Sequence, residues 1–330
     1  MKITDLILLF FIFLIPITFG LGIKSFFVKE AIYLSNTYDT AMTTATIDAT
    51  RSLLMNERQE YESGYQSAKY ASVNLEQAGE TFFHTLYNNF GVVDDPIGQG
   101  TLKAFLPALA VLGYDALHLY VVDEHKDVNG MTIKEHKWLP PIPFTYKDTQ
   151  GNLIYFTLDD QVTIYDVETK EWDEGKRDEL ATYYNIPLLH DKTLFEEVRK
   201  NTIVHAFQDE VAFYINEHNT YARQMGITYQ FTLPTISQED WLNSIDDIGV
   251  LSFLQGIPLG LDQEYNNYAF GGGRLVRNHN FEGVIENGVR TAYRSDCQHG
   301  RQVYQTFSNA KQAAESGYFI SRSRCNVGGN

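Results

Sequence analysis

Cysteine is almost absent from this chain: 330 residues contain two, Cys297 and Cys325. That excludes a disulfide-dense scaffold and an array of thiolate zinc ligands. Basic residues are few, 26 Lys and Arg against 42 Asp and Glu, for a formal net charge of −16. Nucleic acid and anionic lipid surfaces are excluded as partners, because both would repel such a chain. No G-x-S-x-G, H-E-x-x-H or Walker signature occurs, so the familiar motifs of serine hydrolases, zinc peptidases and P-loop enzymes are missing. Glycine and proline are missing between Gly22 and Gly64, which leaves nothing there to interrupt a helix. Charge is missing from Leu6 to Ile23.

That uncharged run (LILLFFIFLIPITFGLGI) is the most informative stretch. Its 18 residues would span about 27 Å as a helix, close to the roughly 30 Å of a bilayer core. It reads as a permanent membrane anchor. The competing readings are a cleaved signal peptide and a buried core helix. A signal peptide calls for a clearly positive start and small residues before the cut, whereas Lys2 is offset by Asp5 and Phe19 interrupts the Gly20/Gly22 neighbourhood. Pro16 is compatible with a spanning helix, since neighbouring groups can satisfy the freed carbonyl. Lys2 and Asp5 before the run nearly balance Lys24, Lys29 and Glu30 after it, and long domains cross largely regardless of charge. The expected arrangement is single-pass in the cell membrane, with the chain after Ile23 outside.

Hydrophobic content of 44% and aromatic content of 14% supply enough apolar surface for a substantial core. Leu34, Tyr38, Ala41, Met42, Ala45, Ala49 and Leu53 recur every three or four residues, one face of a helix. This segment either extends the anchor as a stalk or forms a separate juxtamembrane helix with a core face. Leu75, Ala78, Phe82, Leu86 and Phe90 mark a second helix, stopped by Gly91. Ala104–Leu112 and Ala116–Val122 read as strands. Phe144–Tyr146 and Leu153–Leu158 flank a hairpin turn at residues 149–152, and Gln161–Tyr165 continues the pattern. Asp191 should cap a long helix reaching about Gln224, followed by a strand at Ile227–Leu233 and a capped helix opening at Ser237–Asp240. Gly271-Gly272-Gly273 reads as a flexible joint, because its spacing fits neither a P-loop nor a dinucleotide site.

The expected fold is α+β, and the expected division is a membrane anchor at 1–23, a helical stalk at 24–64, an α+β body at 65–270 and a small cysteine-containing module at 274–330. Within the last, Gly283–Ile285 and Arg290–Tyr293 flank an Asn287-Gly288 turn, Val303–Phe307 is a strand, and Ser308 or Asn309 caps a short helix ended by Gly317. Tyr293-Arg294-Ser295-Asp296-Cys297, then Phe307, Ala310, Ala314, Gly317-Tyr318 and Cys325, resemble the small cysteine-ligated zinc module known from the Ada DNA-repair protein. The ligand positions of that module hold Arg294, Ser321 and Arg324 here, and a guanidinium cannot ligate zinc. The resemblance therefore implies a ββαβ-like shape without its metal and with no cofactor. It leaves Cys297 and Cys325 to pair as a disulfide, with two free thiols or a residual metal site using His299 as alternatives.

Catalytic constellations are not legible. Asp94-Asp95, Asp159-Asp160 and Asp246-Asp247 are adjacent in sequence, which does not place them in one cleft. His84, His118 and His190 read as surface or satisfied core residues, and His205 and His218 lie too far apart on one helix to share a metal. The expectation is a protein without enzymatic activity. The N-terminal plan, an apolar helix with Asp5 near its start feeding an α+β head, resembles pilin-like and TadE-like proteins, and the body resembles membrane-anchored proteins of Gram-positive bacteria. The pilin-like resemblance implies a role in a pilus-like, secretion or conjugation assembly, with the bilayer and other membrane proteins as partners and Asp5 as a subunit contact. The alternative function is a ligand-binding or sensing ectodomain.

Overall fold

A computed structural model of the chain describes residues 3–53, 67, 70–126, 128, 130–236, 241, 245, 247–260, 262–272, 281–286, 288–294, 301–307 and 310–321. Side chains of residues 3–9, 12, 294, 310, 311, 315 and 320 lie outside that description. Two compact units result, Met1–Arg274 and Leu275–Asn330.

The first unit opens with α1, one uninterrupted helix over Ile3–Ser52 that contains Pro16. Ala41, Met42, Ala45, Ala49 and Leu53 are buried, so the face read from their spacing is a core face. The helix is continuous, as a stalk would be, and its second half packs into the body; residues 54–64 of the expected stalk lie outside the described residues. Among the described residues no helix is long and apolar enough to cross a membrane. Residues 6–9 and 12 of the apolar run have side chains outside the description.

Helix α2 (Leu75–Phe90) starts at Asn74, whose side chain accepts from the Gln77 amide, and stops at Gly91 with φ +68°, a left-handed position that suits glycine. It runs antiparallel to α1: Ser52 Oγ lies 3.4 Å from the Gln77 carbonyl oxygen, Thr85 donates to Asp48 at 3.2 Å, and Tyr38 stacks on Phe90 at 5.0 Å. Helix α3 (Pro96–Ala104) has Asp95 as N-cap and proline at its first position, where a missing N–H costs nothing.

A nine-stranded sheet follows: β1 (Leu109–Leu112), β2 (Ala116–Lys126), β3 (Thr132–Trp138), β4 (Ile142–Lys147), β5 (Leu153–Phe156), β6 (Gln161–Tyr165), β7 (Trp172–Lys176), β8 (Gly249–Gly260) and β9 (Gln263–Gly272). Its order is β7-β6-β5-β4-β2-β1-β8-β9, with β3 also on β2, and its pairings are antiparallel. Long β2 shares one edge between two strands: Tyr120 to Lys126 pair with β3, Ala116 and Leu117 with β4. Pro140 and Pro141 fall at the break, where their lack of N–H donors does no harm. Two short helices, α4 (Arg177–Leu180) and α5 (Pro187–His190), lead to α6 (Lys192–Gln224), capped by Asp191. Its buried stripe of Phe195, Ile203, Phe207, Val211 and Ile215 faces the sheet. Strand β8 is covered on both sides: Ser252 bonds to Thr46 of α1, while Leu251 lines a gap with Phe207 of α6. Helix, sheet and helix thus form three layers.

One local expectation is corrected. Ile227–Leu233 is not a strand. The Phe231 amide and carbonyl are taken by the Asn219 side chain, and those of Thr232 by Gln255, so side chains replace a strand partner. Gly271 and Gly272 end β9, Gly273 lies outside the described residues, and the first compact unit ends just after them at Arg274. The helix opening at Ser237–Asp240 lies outside them too.

The second unit has strands β10 (Phe281–Glu286), β11 (Val289–Arg294), β12 (Gln305–Phe307) and β13 (Phe319–Ile320) around α7 (Ala310–Glu315), in sheet order β12-β10-β11-β13. The expected ββαβ shape is corrected by one strand, and β13 pairs with β11 in parallel. Phe281, Ala292, Phe307, Ala313 and Tyr318 form its core, with Phe307 and Tyr318 packed at 5.0 Å. Cys297, Cys325 and His299, on which the disulfide and metal alternatives turned, lie outside the described residues.

Candidate functional site

The site that stands out is α1, because its two halves have opposite environments. From Phe10 to Glu30 every residue whose side chain is described is exposed. Phe13 is 63% exposed, Ile17 58%, Phe19 68% and Leu21 64%. Successive helix residues turn by about 100°, so these side chains point in all directions. Apolar side chains on every side of a helix leave a large apolar surface uncovered by the rest of the chain.

The second half is held by polar contacts as well as by packing. Thr46 donates to the Met42 carbonyl at 2.8 Å and lies 2.7 Å from Ser252 Oγ of β8, so Ser252 is the donor of that pair. The Thr50 hydroxyl lies 2.7 Å from the Thr46 carbonyl and 2.9 Å from that of Gly271. A methyl group on Gly271 would sit 2.3 Å from Thr50 Oγ1 and 2.9 Å from the Thr46 carbonyl, so only glycine lets β9 approach this close. Nearer the exposed half, Tyr265 Oη and Asn267 Nδ2 both donate to Asp39 Oδ1 at 2.6 Å. Burial, and then the bond to Asp39, pushes the Tyr265 phenol up, which keeps it a donor. Beside this clasp lies an open groove of about 280 Å³ lined by Tyr33, Asn36, Thr37, Thr40, Ala41 and Asn89.

Asp5 has its backbone in α1, but its side chain lies outside the description, so its role as a subunit contact stays with the proposal below. The acidic pairs have local partners. Asp95 caps α3. Asp159 accepts from Tyr114 at 2.8 Å and from Thr157 and Ser67. Asp247 accepts from the Ile248 amide at 2.8 Å, and Asp246 lies outside the described residues. His84 and His205 are exposed, and His190 Nε2 lies 3.2 Å from the Tyr184 carbonyl. His118 is half-buried, and burial lowers its pKa against a smaller opposing effect of Asp115. His218 is fully buried. His136, which the sequence did not single out, lies against it.

Sequence reasoning also missed Asp39, Tyr265, Asn267, Ser252 and Gly271. Asp39 had a signal, as it is the one charged residue between Glu30 and Asp48. Its partners are more than two hundred residues away and had none. The apolar gap between α6 and β8, lined by Leu112, Phe207, Trp241, Leu251 and Phe270, measures about 10 Å³, too small for a ligand. No family model matches the chain, and no curated protein or solved structure matches it.

Proposed function

We propose that this chain is a single-pass, membrane-tethered surface protein without enzymatic activity, a component of a pilus-like or secretion-type assembly, with its α+β body outside the cell. The observation that carries the reading is the exposure of apolar side chains on every side of α1 from Phe10 to Val28. Each large apolar side chain left in water forgoes roughly 1.5–3 kcal/mol of burial, and a bilayer recovers it for all of them together. Lys24 and Lys29 follow the run, where a helix leaving lipid places its charges. The continuous backbone into the body supports a rigid mount rather than a flexible tether. By resemblance to pilin-like proteins, Asp5 meets a neighbouring subunit in this arrangement.

The test is to solubilise the membranes in mild detergent, isolate the full chain and identify its companions. Secretion-motor or pilus components are the expected partners. A small molecule bound without any protein partner contradicts the assembly role and favours the second reading, an extracytoplasmic binding domain. The groove of about 280 Å³ between α1 and α2, with its hydroxyls, amides and one phenol, is what supports that alternative.

A further inference from the structure

We propose that His136 and His218 form an acid-sensitive latch that fastens the C-terminal end of α6 and strand β3 to the segment leading from α3 into β1. His218 Nε2 lies 2.9 Å from the Ala104 carbonyl oxygen, and His136 is hydrogen-bonded to the main chain of Leu106. Each imidazole thus commits one nitrogen to the same short segment. The ring centroids lie 5.9 Å apart, and Tyr221 packs against both, at 5.6 and 5.7 Å. Tyr120 stacks on His136 at 5.8 Å and Phe231 meets His218 edge-on at 4.7 Å.

The other two nitrogens, His136 Nε2 and His218 Nδ1, are enclosed and have no hydrogen-bond partner among the described residues. A neutral imidazole that donates one N–H keeps a bare lone pair on its other nitrogen. Here both lone pairs are buried without a donor, an arrangement stable only while the rings stay neutral. The charged and titratable groups around them do not favour protonation. Lys103, at the end of α3, is a cation acting on His136, and each imidazole also acts against charge on the other. Tyr120 on β2, Tyr221 on α6 and Tyr87 on α2 are phenols. Glu76 and Glu135 act on Tyr120 and not on either imidazole. Burial holds His136 down at about 3 and His218 at about 4. Among the described residues no third carboxylate, thiol or imidazole completes a metal-binding group, so a proton is the ligand this pair fits.

A proton taken from solvent by either ring places a cation beside Lys103 and the second imidazole, with no anion among the described residues bonded to either ring. The cheapest relief is local: the end of α6 lifts from residues 104–106 and admits water. The other end of α6 stays fixed by the Asp191 cap and by Phe195 packed on Phe156 at 5.3 Å.

Amide hydrogen exchange on the full chain, compared at about pH 7 and about pH 5 and corrected for intrinsic rates, tests the latch. Residues 104–112 and 214–224 should lose protection at least roughly tenfold in acid and remain less protected than 41–53. No loss in the two segments, or exchange there no faster than in 41–53, overturns the proposal. The double variant His136→Gln/His218→Gln keeps an amide N–H for each carbonyl and cannot titrate, so acid opening should vanish; opening that persists counts against the latch. Should that variant not fold, an NMR titration of the native imidazoles decides. Rings that stay neutral at about pH 5 support the latch, whereas titration near the ordinary 6.5 rules it out.

Discussion

From Phe10 to Val28 the described apolar side chains of α1 are exposed on all sides, while from Ala41 to Leu53 one face is shut into the core and the opposite face carries threonine, Asp48 and Arg51. The backbone is the same regular helix throughout. What differs is the arrangement of apolar groups. In the second half they recur at three and four residues, which one sheet face can cover. In the first half they fill residues 10–17 without a gap and recur on all sides as far as Val28, and no single face could cover them. The body therefore covers one half and leaves the other exposed.

Substitutions should separate the two halves, and the largest effect belongs to the exposed one. Replacing Phe13 and Ile17 together by arginine should cost about 5–7 kcal/mol of membrane insertion, at about 2.5–3.5 kcal/mol per charge at mid-helix. Vesicle flotation should then leave the variant in the soluble fraction, with its melting temperature in detergent unchanged. A melting shift would mean that this half touches the body after all.

Acid comes next. Both latch imidazoles are neutral when folded and titrate near 6.5 when unfolded, so below that value the unfolded chain binds more protons. The stability they contribute is complete above pH 6.5 and is lost as the pH falls toward the folded values of about 3 and 4. Denaturant melts should show a loss of about 4 kcal/mol between about pH 7 and pH 5, roughly 2 from each ring. The socket of α1 contributes no histidine to this loss, and His136→Gln/His218→Gln should remove most of it.

Within the socket, Met42→Ala should lower stability by about 3 kcal/mol, since Met42 is buried and the vacated space collapses only in part. Flotation should be unaffected. Asp39→Ala removes the shared acceptor of Tyr265 and Asn267 and should cost about 1–3 kcal/mol, read from urea midpoints. The smallest effect lies far from both halves. Lys134→Ala breaks a surface pair with Glu124 at 3.1 Å and should cost less than about 1 kcal/mol, within the error of the same melts.

The features legible in the sequence were local ones. Asp191 caps α6 as its position suggested, Gly91 ends α2, and the strands around residues 153–165 follow their apolar alternation. Strands β8 and β9 were missed, because β8 is buried on both faces from Gly249 to Ile257 and shows no period of two. Ile227–Leu233 alternates like a strand, yet Asn219 and Gln255 claim its backbone groups, a choice that only tertiary contact can make. The glycine run marks the end of the first compact unit, but Gly271 is also demanded by the nearness of Thr46 and Thr50, which sequence neighbours do not reveal. Likewise the pairing of His136 with His218 joins a strand to a helix some eighty residues away, with no motif to announce it.

Alkaline carbonate extraction of membranes that contain the full chain tests the central claim most directly. An integral helix resists the high pH that strips proteins held only through other proteins or charge. The protein should remain in the membrane pellet and enter solution only with detergent, whereas a variant lacking residues 1–23 should be released. Full-length protein recovered in the carbonate supernatant would contradict the account.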